Sequence, residues 1–459
     1  MLKLFLCLRY LRKKKIVFLS IAAVALSVSL LIVVASLFTG FIKAVEHAAD
    51  EALGDVVLSP PIELAKYPLL IESLEETPIV EAATAALLAP GLLRLDTGNV
   101  RPVQVWGIDP RGRDRVTGFK KSLLRQKDTA GGPSFEIDGS EGKTGGFVGI
   151  AVINEPNELT DEYDLEAVES MIGKQIILTT GTASESEIKR RLLPFHIADV
   201  VETGVYQFDK GYMYLPIEEL QRRLYPEAES PLAGQILIKL ADNTDTEGAL
   251  AVIAGIWRNF VDEQFDGDPY LLHRTEIVTS REMQRQYIAA YQKQMGILLA
   301  IFGVVSLGVI LLVFCIFYMI VRLKQKDIAI IRSCGMARTS VALVFVNFGL
   351  CVGVIGSVIG AILGWLITVN VNTIEEWIRI IFGLKLWKSS VYLFNRIPNE
   401  VDWFATLLTI PIKVFGRQFA ISLELYHIVL VAILAAAVGA LIPAVVAATT
   451  KPVNILQYE

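Results

Sequence analysis

Val321-Arg-Leu-Lys-Gln-Lys-Asp-Ile-Ala-Ile-Ile-Arg-Ser-Cys-Gly-Met-Ala-Arg-Thr-Ser340 is a short basic stretch set between two long apolar segments. Arg322, Lys324, Lys326, Arg332 and Arg338 stand against a single acid, Asp327. A cationic loop between two spans stays on the cytoplasmic side of a membrane, so this stretch orients the chain. Its middle reads as one brief helix, with Ile328 and Ile331 three apart and Ile330 and Cys334 four apart. Gly335 supplies the left-handed residue that ends helices. Such an amphipathic helix, held at both ends by spans, is shaped either to dock in another protein's groove or to lie on its own bundle.

The rest of the chain decides how that stretch is carried. Hydrophobic residues make up 53% of 459, far above an ordinary soluble protein, and four segments have the length and apolarity of membrane helices. The net charge of −5 comes with no basic patch interleaved with aromatics, so no nucleic-acid partner is expected. Cys7, Cys315, Cys334 and Cys351 all fall in or beside spans or in the cationic loop. The large polar block between the first two spans therefore has no disulfide framework and no Cys-x-x-Cys site. Residues 1–15 are basic and lead into an apolar run of roughly 27 residues, longer than a signal peptide's core and without a small-x-small cleavage site. An uncleaved span with its N-terminus inside is expected, since five basic residues lie at 9–15.

The expected architecture is an α-helical membrane protein with four transmembrane helices and a large α+β extracytoplasmic domain inserted between helices 1 and 2. Spans are placed at 16–42, 296–321, 340–369 and 425–448, with stalk helices at 43–53 and 279–295 carrying the domain of residues 54–278. The cytoplasmic loop is 322–339, a second extracytoplasmic loop is 370–424, and the tail is 449–459. Thr279-Ser280-Arg281-Glu282 reads as a capping box that opens the second stalk. Strands are expected at 55–59, 80–89, 103–110, 148–153, 175–180, 195–201 and 235–240, with a short helix opened by Pro216. Gln126–Gly146, rich in glycine and charge, reads as an exposed loop. In the third span Gly356, Gly360 and Gly364 repeat at four-residue spacing, a small-residue face that lets helix backbones approach closely. That face fits a packing seam, either within the bundle or between two copies. Asn372–Gly383 has the pattern of an interfacial amphipathic helix with Trp377 at headgroup level. Leu407–Phe419 reads as a re-entrant or interfacial segment.

Four runs carry a resemblance. Lys326-Asp-Ile-Ala-Ile-Ile-Arg-Ser-Cys-Gly335 is similar to the K-E-I-(G/A)-I-L-(K/R)-A-(L/I)-G loop of FtsX/MacB-type ABC transporter permeases, with Asp327 in place of the usual Glu. Gly107-Ile-Asp-Pro110 resembles the end of a strand in the MacB-like periplasmic domain, and Val200–Gln221 resembles its long V-G-x-F…V-Y-(V/L)-P-L-E run. Leu386–Pro398 is similar to the corresponding loop of the lipoprotein-releasing LolC/LolE branch. The resemblance implies that Lys326, Asp327, Ile328, Ile331, Arg332 and Gly335 form a coupling helix seated on a LolD-like ATPase subunit. It implies a second permease subunit, membrane lipid and a periplasmic lipoprotein carrier as further partners, in the inner membrane. It implies no cofactor bound by this chain, ATP and Mg being used by the ATPase. One departure stands out. Thr179–Lys189, where that branch has a proline-bearing loop that hooks the carrier, is short and lacks proline. An FtsX-like transmitter acting on an external cell-wall hydrolase is therefore the rival reading.

Enzymatic motifs do not offer a third. Gly142-Lys143-Thr144 imitates the end of a phosphate-binding loop, but the required glycine five residues earlier is Ile137. His47, His196, His273 and His427 are scattered singly, and no Gly-x-Ser-x-Gly elbow occurs. Glu218-Glu219 and Glu375-Glu376 read as solvated helix faces.

Overall fold

The computed structural model describes residues 15–95, 98–137, 145–183, 188–283, separate positions between 297 and 333, and 335–392, 394–399, 401, 406–414 and 417–449. They divide into two compact units. One comprises Met1–Lys43, Tyr287–Ile374 and Ile397–Glu459; the other comprises Ala44–Gln286 and Glu375–Arg396.

Helix α1 (Lys15–Leu53) runs 39 residues without a break. It is followed in chain order by β1 (Val56–Ser59), β2 (Leu64–Ala65), α2 (Tyr67–Glu75), β3 (Val80–Arg94), β4 (Val100–Ile108), α3 (Pro110–Thr117) and β5 (Gly145–Gly149). Then come α4 (Ile150–Ile153), α5 (Leu165–Glu169), β6 (Gln175–Ala183), β7 (Ile188–Val201), α6 (Tyr206–Gly211), β8 (Tyr212–Pro216) and α7 (Ile217–Leu224). The domain closes with β9 (Leu232–Ala233), β10 (Gln235–Leu240), α8 (Thr246–Gln264), α9 (Pro269–Arg274), β11 (Glu276–Thr279) and α10 (Ser280–Met283).

Nine of these strands form one sheet in the order β11-β1-β10-β3-β4-β8-β5-β7-β6. β6 also pairs back to the outer half of β3, Leu92 opposite Thr179, so β3, β4, β8, β5, β7 and β6 close into a circuit. The β4–β8 and β5–β7 pairs are parallel and the remaining ones antiparallel. Alternating residues of β3 and β10 fill one face of the core with Leu87, Ile236 and Ile238, over which α8 lays Ile253, Trp257 and Val261. The opposite face is smaller and aromatic, with Trp106, Phe119, Phe147 and Tyr214.

Two expectations change here. Val148–Ile153 is not one strand: β5 ends at Gly149 and Ile150 starts α4. A short, fully buried apolar run carries no period that separates strand from helix. Gln126–Gly146 is exposed at 127–132, as a loop, but is anchored at both ends of its described part. Gln126 exchanges side-chain bonds of 2.9 and 2.8 Å with the Ser134 backbone, Phe135 lies 4.4 Å from Phe147, and Gly145 and Gly146 belong to β5. Residues 138–144 lie outside the described residues.

The other unit contains α11 (Arg338–Val369), which leads into α12 (Val371–Phe382); from Glu375 on, α12 belongs to the domain unit, as does α13 (Ser389–Tyr392). A hairpin of β12 (Thr406–Val414) and β13 (Arg417–Glu424) precedes α14 (Leu425–Thr449). Three described helices are long and apolar enough to cross a membrane: Val17–Leu53, Arg338–Val369 and Tyr426–Val446. Phe314–Leu323 is a shorter apolar helix, and ten of the 26 residues of the expected second span lie outside the described residues. Leu407–Phe419, read as a re-entrant or interfacial segment, lies within this hairpin. Ile410, Ile412 and Val414 alternate with Thr409, Pro411 and Lys413, a period of two that suits a strand.

Candidate functional site

The loop that orients the sequence is described at five of its central positions. Lys326, Ala329, Ile330 and Ser333 are helical, Ala329 is buried, and Ile330 is 54% exposed. Ser333 Oγ donates to the Ala329 carbonyl at 2.9 Å. Gly335 has a φ of 93°, the left-handed conformation a helix-ending glycine adopts. Val321 and Val341, packed with Met336 and Phe345, hold the two ends of the loop together. Asp327, Ile328, Ile331 and Arg332 lie outside the described residues.

The glycine face of α11 is occupied within the chain. A Cβ on Gly356 would meet Val24 at 2.8 Å, one on Gly360 the Ala25 carbonyl at 2.6 Å, and one on Gly364 Ile32 at 3.0 Å. All three contacts are with α1. One turn earlier, Gly349 and Gly353 are pressed against Ala440 and Ala436 of α14. Of the two seams the spacing allows, the geometry is that of the internal one. Val358, Ile359 and Ile362 of α11 point away and are exposed.

The domain presents three built features. The first is the base of the sheet, where the strand after α1 and the strand before α10 lie side by side. β1 pairs antiparallel with β11, Val56 opposite Thr279, and Ser280 N donates to the Asp55 carbonyl at 3.1 Å. The Asp55 carboxylate accepts from Leu240 N at 2.8 Å. Thr279 Oγ1 accepts from Glu282 N at 3.0 Å, one half of the capping box.

The second feature explains the family-like runs. Gly107 is required because a Cβ would sit 3.2 Å from the Ile217 backbone. Asp109 caps α3, accepting from Gly112 N at 2.9 Å, and Pro110 occupies its first turn. In the second run Asp209 is buried and accepts from both N and Oγ1 of Thr203 at 2.7 Å on Oδ1. Its Oδ2 and the buried Tyr163 hydroxyl have no hydrogen-bond partner among the described residues. Burial, aided by Glu202, pushes the Asp209 carboxyl up to about 7. Asp199, fully buried, accepts from Arg125, Gln126 and Val200 backbone N–H groups.

The third feature is a clasp between two distant parts of the sequence. Asn157–Asp161 forms a tight turn, with Asp161 N bonded to the Asn157 carbonyl at 2.7 Å and Asp161 at a φ of 55°. Its carboxylate accepts from Ser389 N at 2.8 Å and Ser389 Oγ at 3.0 Å, and Lys385 Nζ lies 3.3 Å away. The Asp161 and Lys385 side chains are 4% and 14% exposed. Arg379 pairs with Glu162 at 2.9 Å. Trp387 stacks on Tyr392 at 4.2 Å and donates to the Phe394 carbonyl, which closes the segment on itself. Of the glutamates read as solvated faces, Glu375 accepts from Trp387 N, Glu376 pairs with Arg379 and Glu219 pairs with Arg222 and Arg223, while Glu218 and Glu376 are exposed. Trp377, Ile380, Ile381 and Phe382 of α12 are exposed.

Thr179–Lys189 is not a free loop. Thr179–Ala183 and Ile188–Lys189 are paired ends of β6 and β7, up to Ala183 opposite Ile188. Residues 184–187 lie outside the described residues. Beside this hairpin, Leu92, Ile177 and Leu192 are exposed on β3, β6 and β7. No group of three or more potential metal ligands occurs among the described residues.

Residues 17–256 match the model of the MacB-like periplasmic core domain, and the chain belongs to that family. Within it the chain is a MacB/FtsX-type ABC permease of the LolC/LolE branch. It is 26% identical over 471 residues to the lipoprotein-releasing system transmembrane protein LolC of Neisseria meningitidis serogroup B, covering 98% of both chains. It is 24% identical over 402 residues to LolE of Haemophilus influenzae, covering 85% of this chain and 86% of that one. The periplasmic region of MacB from Actinobacillus actinomycetemcomitans aligns at 12% identity and a TM-score of 0.30, over 52% of this chain and 95% of that one.

Proposed function

We propose that this chain is the permease subunit of an ABC transporter that releases lipoproteins from the outer leaflet of the inner membrane. The observation that carries the reading is similarity along nearly the whole chain to proteins named for lipoprotein release. The chain spans the membrane four times, the fourth helix lying over 296–321, with residues 54–278 and 370–424 outside. ATP and Mg are used by a LolD-like partner ATPase, and this subunit binds no cofactor of its own. Lys326–Gly335 is the coupling helix on that ATPase. The exposed Ile330 and the left-handed Gly335 support a short helix available for docking. A second permease subunit completes the complex. The apolar outer faces of β3, β6 and β7 support a soluble lipoprotein carrier as the partner at the hairpin.

Ile331→Asp tests this. A carboxylate placed without a partner in a desolvated groove costs on the order of 1–3 kcal/mol or more, which corresponds to about a tenfold to hundredfold loss of affinity. Pull-down of the ATPase, ATP hydrolysis and lipoprotein release from proteoliposomes should all fall, with the chain still inserted. Wild-type values for all three would remove the coupling assignment. A wild-type complex that hydrolyses ATP but releases no lipoprotein would remove the substrate assignment.

A further inference from the structure

Helix α12 is turned inside out for a helix packed on a domain in water. Asn372, Glu375 and Arg379 recur at three- and four-residue spacing along one face, and each is engaged. Asn372 exchanges side-chain bonds of 3.1 and 2.9 Å with the Ile397 backbone, Glu375 accepts from Trp387 N at 3.3 Å, and Arg379 pairs with Glu162 at 2.9 Å. Ile374, Trp377, Ile380 and Ile381 recur at the same spacing along the opposite face. Of these, Trp377, Ile380 and Ile381 are 67%, 72% and 69% exposed. Phe382 at the helix end, and Leu384 and Leu386 just beyond it, are exposed as well. An amphipathic helix on a soluble domain buries its apolar stripe and leaves the polar one in water. A contiguous apolar surface left outside marks a site of contact with protein or membrane.

Two observations select lipid as the occupant. The first is continuity. α12 starts one residue after the end of α11, a helix long and apolar enough to span a bilayer, and Ile374 N donates to the Asn370 carbonyl at 2.9 Å across the junction. α11 exposes Trp365, Leu366, Ile367 and Val369 in its last turns, so the apolar surface offered to lipid runs on along the chain into α12. The second is chemistry. The charged groups of α12 are taken up by bonds within the chain, and the exposed row offers one polar group, the Trp377 indole N–H. A protein interface carries polar contacts at its rim, whereas hydrocarbon asks for none. An indole, apolar with a single donor, suits the boundary between acyl chains and headgroups.

We propose that the outer face of α12, with Phe382, Leu384 and Leu386, beds on the surface of the lipid bilayer, giving the domain a lipid contact of its own. The contact does not depend on the lipoprotein or ATPase assignments. The test places the full-length chain, without partners, in vesicles of phosphatidylethanolamine and phosphatidylglycerol that contain a phosphatidylcholine with a diazirine in its acyl chain. After illumination, lipid adducts are mapped by peptide mass spectrometry. Adducts are expected within 377–386 and on the exposed face of α11 around Ile359 and Ile362, and none at Val252 of α8, an exposed apolar residue of the domain. Replacing Ile380→Asp and Ile381→Asp together should lower the adducts at 377–386 by roughly tenfold or more, because a carboxylate among acyl chains is strongly disfavoured, and should leave those on α11 unchanged. Adducts confined to α11 would overturn the proposal and assign the row to protein or to the acyl chains of a lipoprotein, which these vesicles lack. Equal labelling of Val252, or labelling of 377–386 that survives the double substitution, would overturn it as well. A chain that passes these tests yet releases no lipoprotein would refute the transport reading alone.

Discussion

Gly360→Leu is the sharpest challenge to the internal seam. At Gly360 even a methyl group would lie 2.6 Å from the Ala25 carbonyl oxygen, 2.8 Å from Val28 Cβ and 3.1 Å from Ala25 Cα. Two of the three obstacles are backbone atoms of α1, so no rotamer change relieves them and the helices must separate. Overpacking of this kind costs about 1–3 kcal/mol, against which replacing a mid-helix glycine by alanine returns roughly 1 kcal/mol of helix propensity. Gly360→Ala should therefore be destabilised by about 0–2 kcal/mol, and Gly360→Leu by the upper end of the overpacking range or more. Gly364→Ala should be milder, because its nearest obstacle at 3.0 Å is the Ile32 side chain. Gly255, with nothing within 4 Å, gives the control: alanine there should stabilise by roughly 0.5–1 kcal/mol. The measurement is unfolding of the purified chain in detergent, followed by loss of helicity. If Gly360→Leu unfolds like wild type while the assembled complex is lost, the face serves a second copy and not α1. If both stability and assembly are unchanged, α1 does not fill it at all.

Two other perturbations read the domain. Asp161→Ala strips Ser389 of two bonds and leaves Lys385 with its buried partner gone, a loss on the order of 3–5 kcal/mol; hydrogen exchange at 385–392 should accelerate while the sheet stays protected, and unchanged exchange would show that the segment is held otherwise. Asp209 has a folded pKa of about 7 against an ordinary 3.8, so the stability it contributes is fully present below about pH 4 and is lost as pH rises through 7. Asp209→Asn keeps the shape and the neutral state; it should flatten the decline in unfolding midpoint between those pH values, and an identical pH profile would assign the decline to another group.

Much of the architecture was legible because membranes and strands impose long, one-dimensional patterns. The glycine repeat at 356, 360 and 364 gave the seam, and the apolar runs gave the helices that α1, α11 and α14 form. Gly107-Ile-Asp-Pro110 was legible as a resemblance before its physics was: a close approach, a cap and a first-turn proline in four residues. The clasp was not legible. Its partners are separated by 217 and 228 residues, and Asp161-Glu162 looks like any solvated acidic pair. The buried Arg113, whose Nη2 donates to the Ala52 carbonyl in the last turn of α1, was hidden for a different reason. In Arg111-Gly-Arg113-Asp-Arg115 it is one of three arginines in a run that reads as surface charge. The available signal was weak: Arg113 falls three residues before Val116, on the face of α3 that turns inward.

What these local details share is that each ties a connecting segment to the sheet. The chain arrives in β1 and departs from β11, and because those strands are bonded to each other, with Ser280 N on the Asp55 carbonyl, no hinge lies between arrival and departure. A displacement applied to either connection therefore loads the same sheet edge. Arg113 adds a bond from the domain to the last turn of α1. The clasp adds a third attachment, through a segment continuous in sequence with α11 by way of α12. Short, buried, charge-assisted bonds suit this duty better than apolar contact alone. They are directional, so they resist sliding as well as separation, whereas burial of apolar area is non-directional.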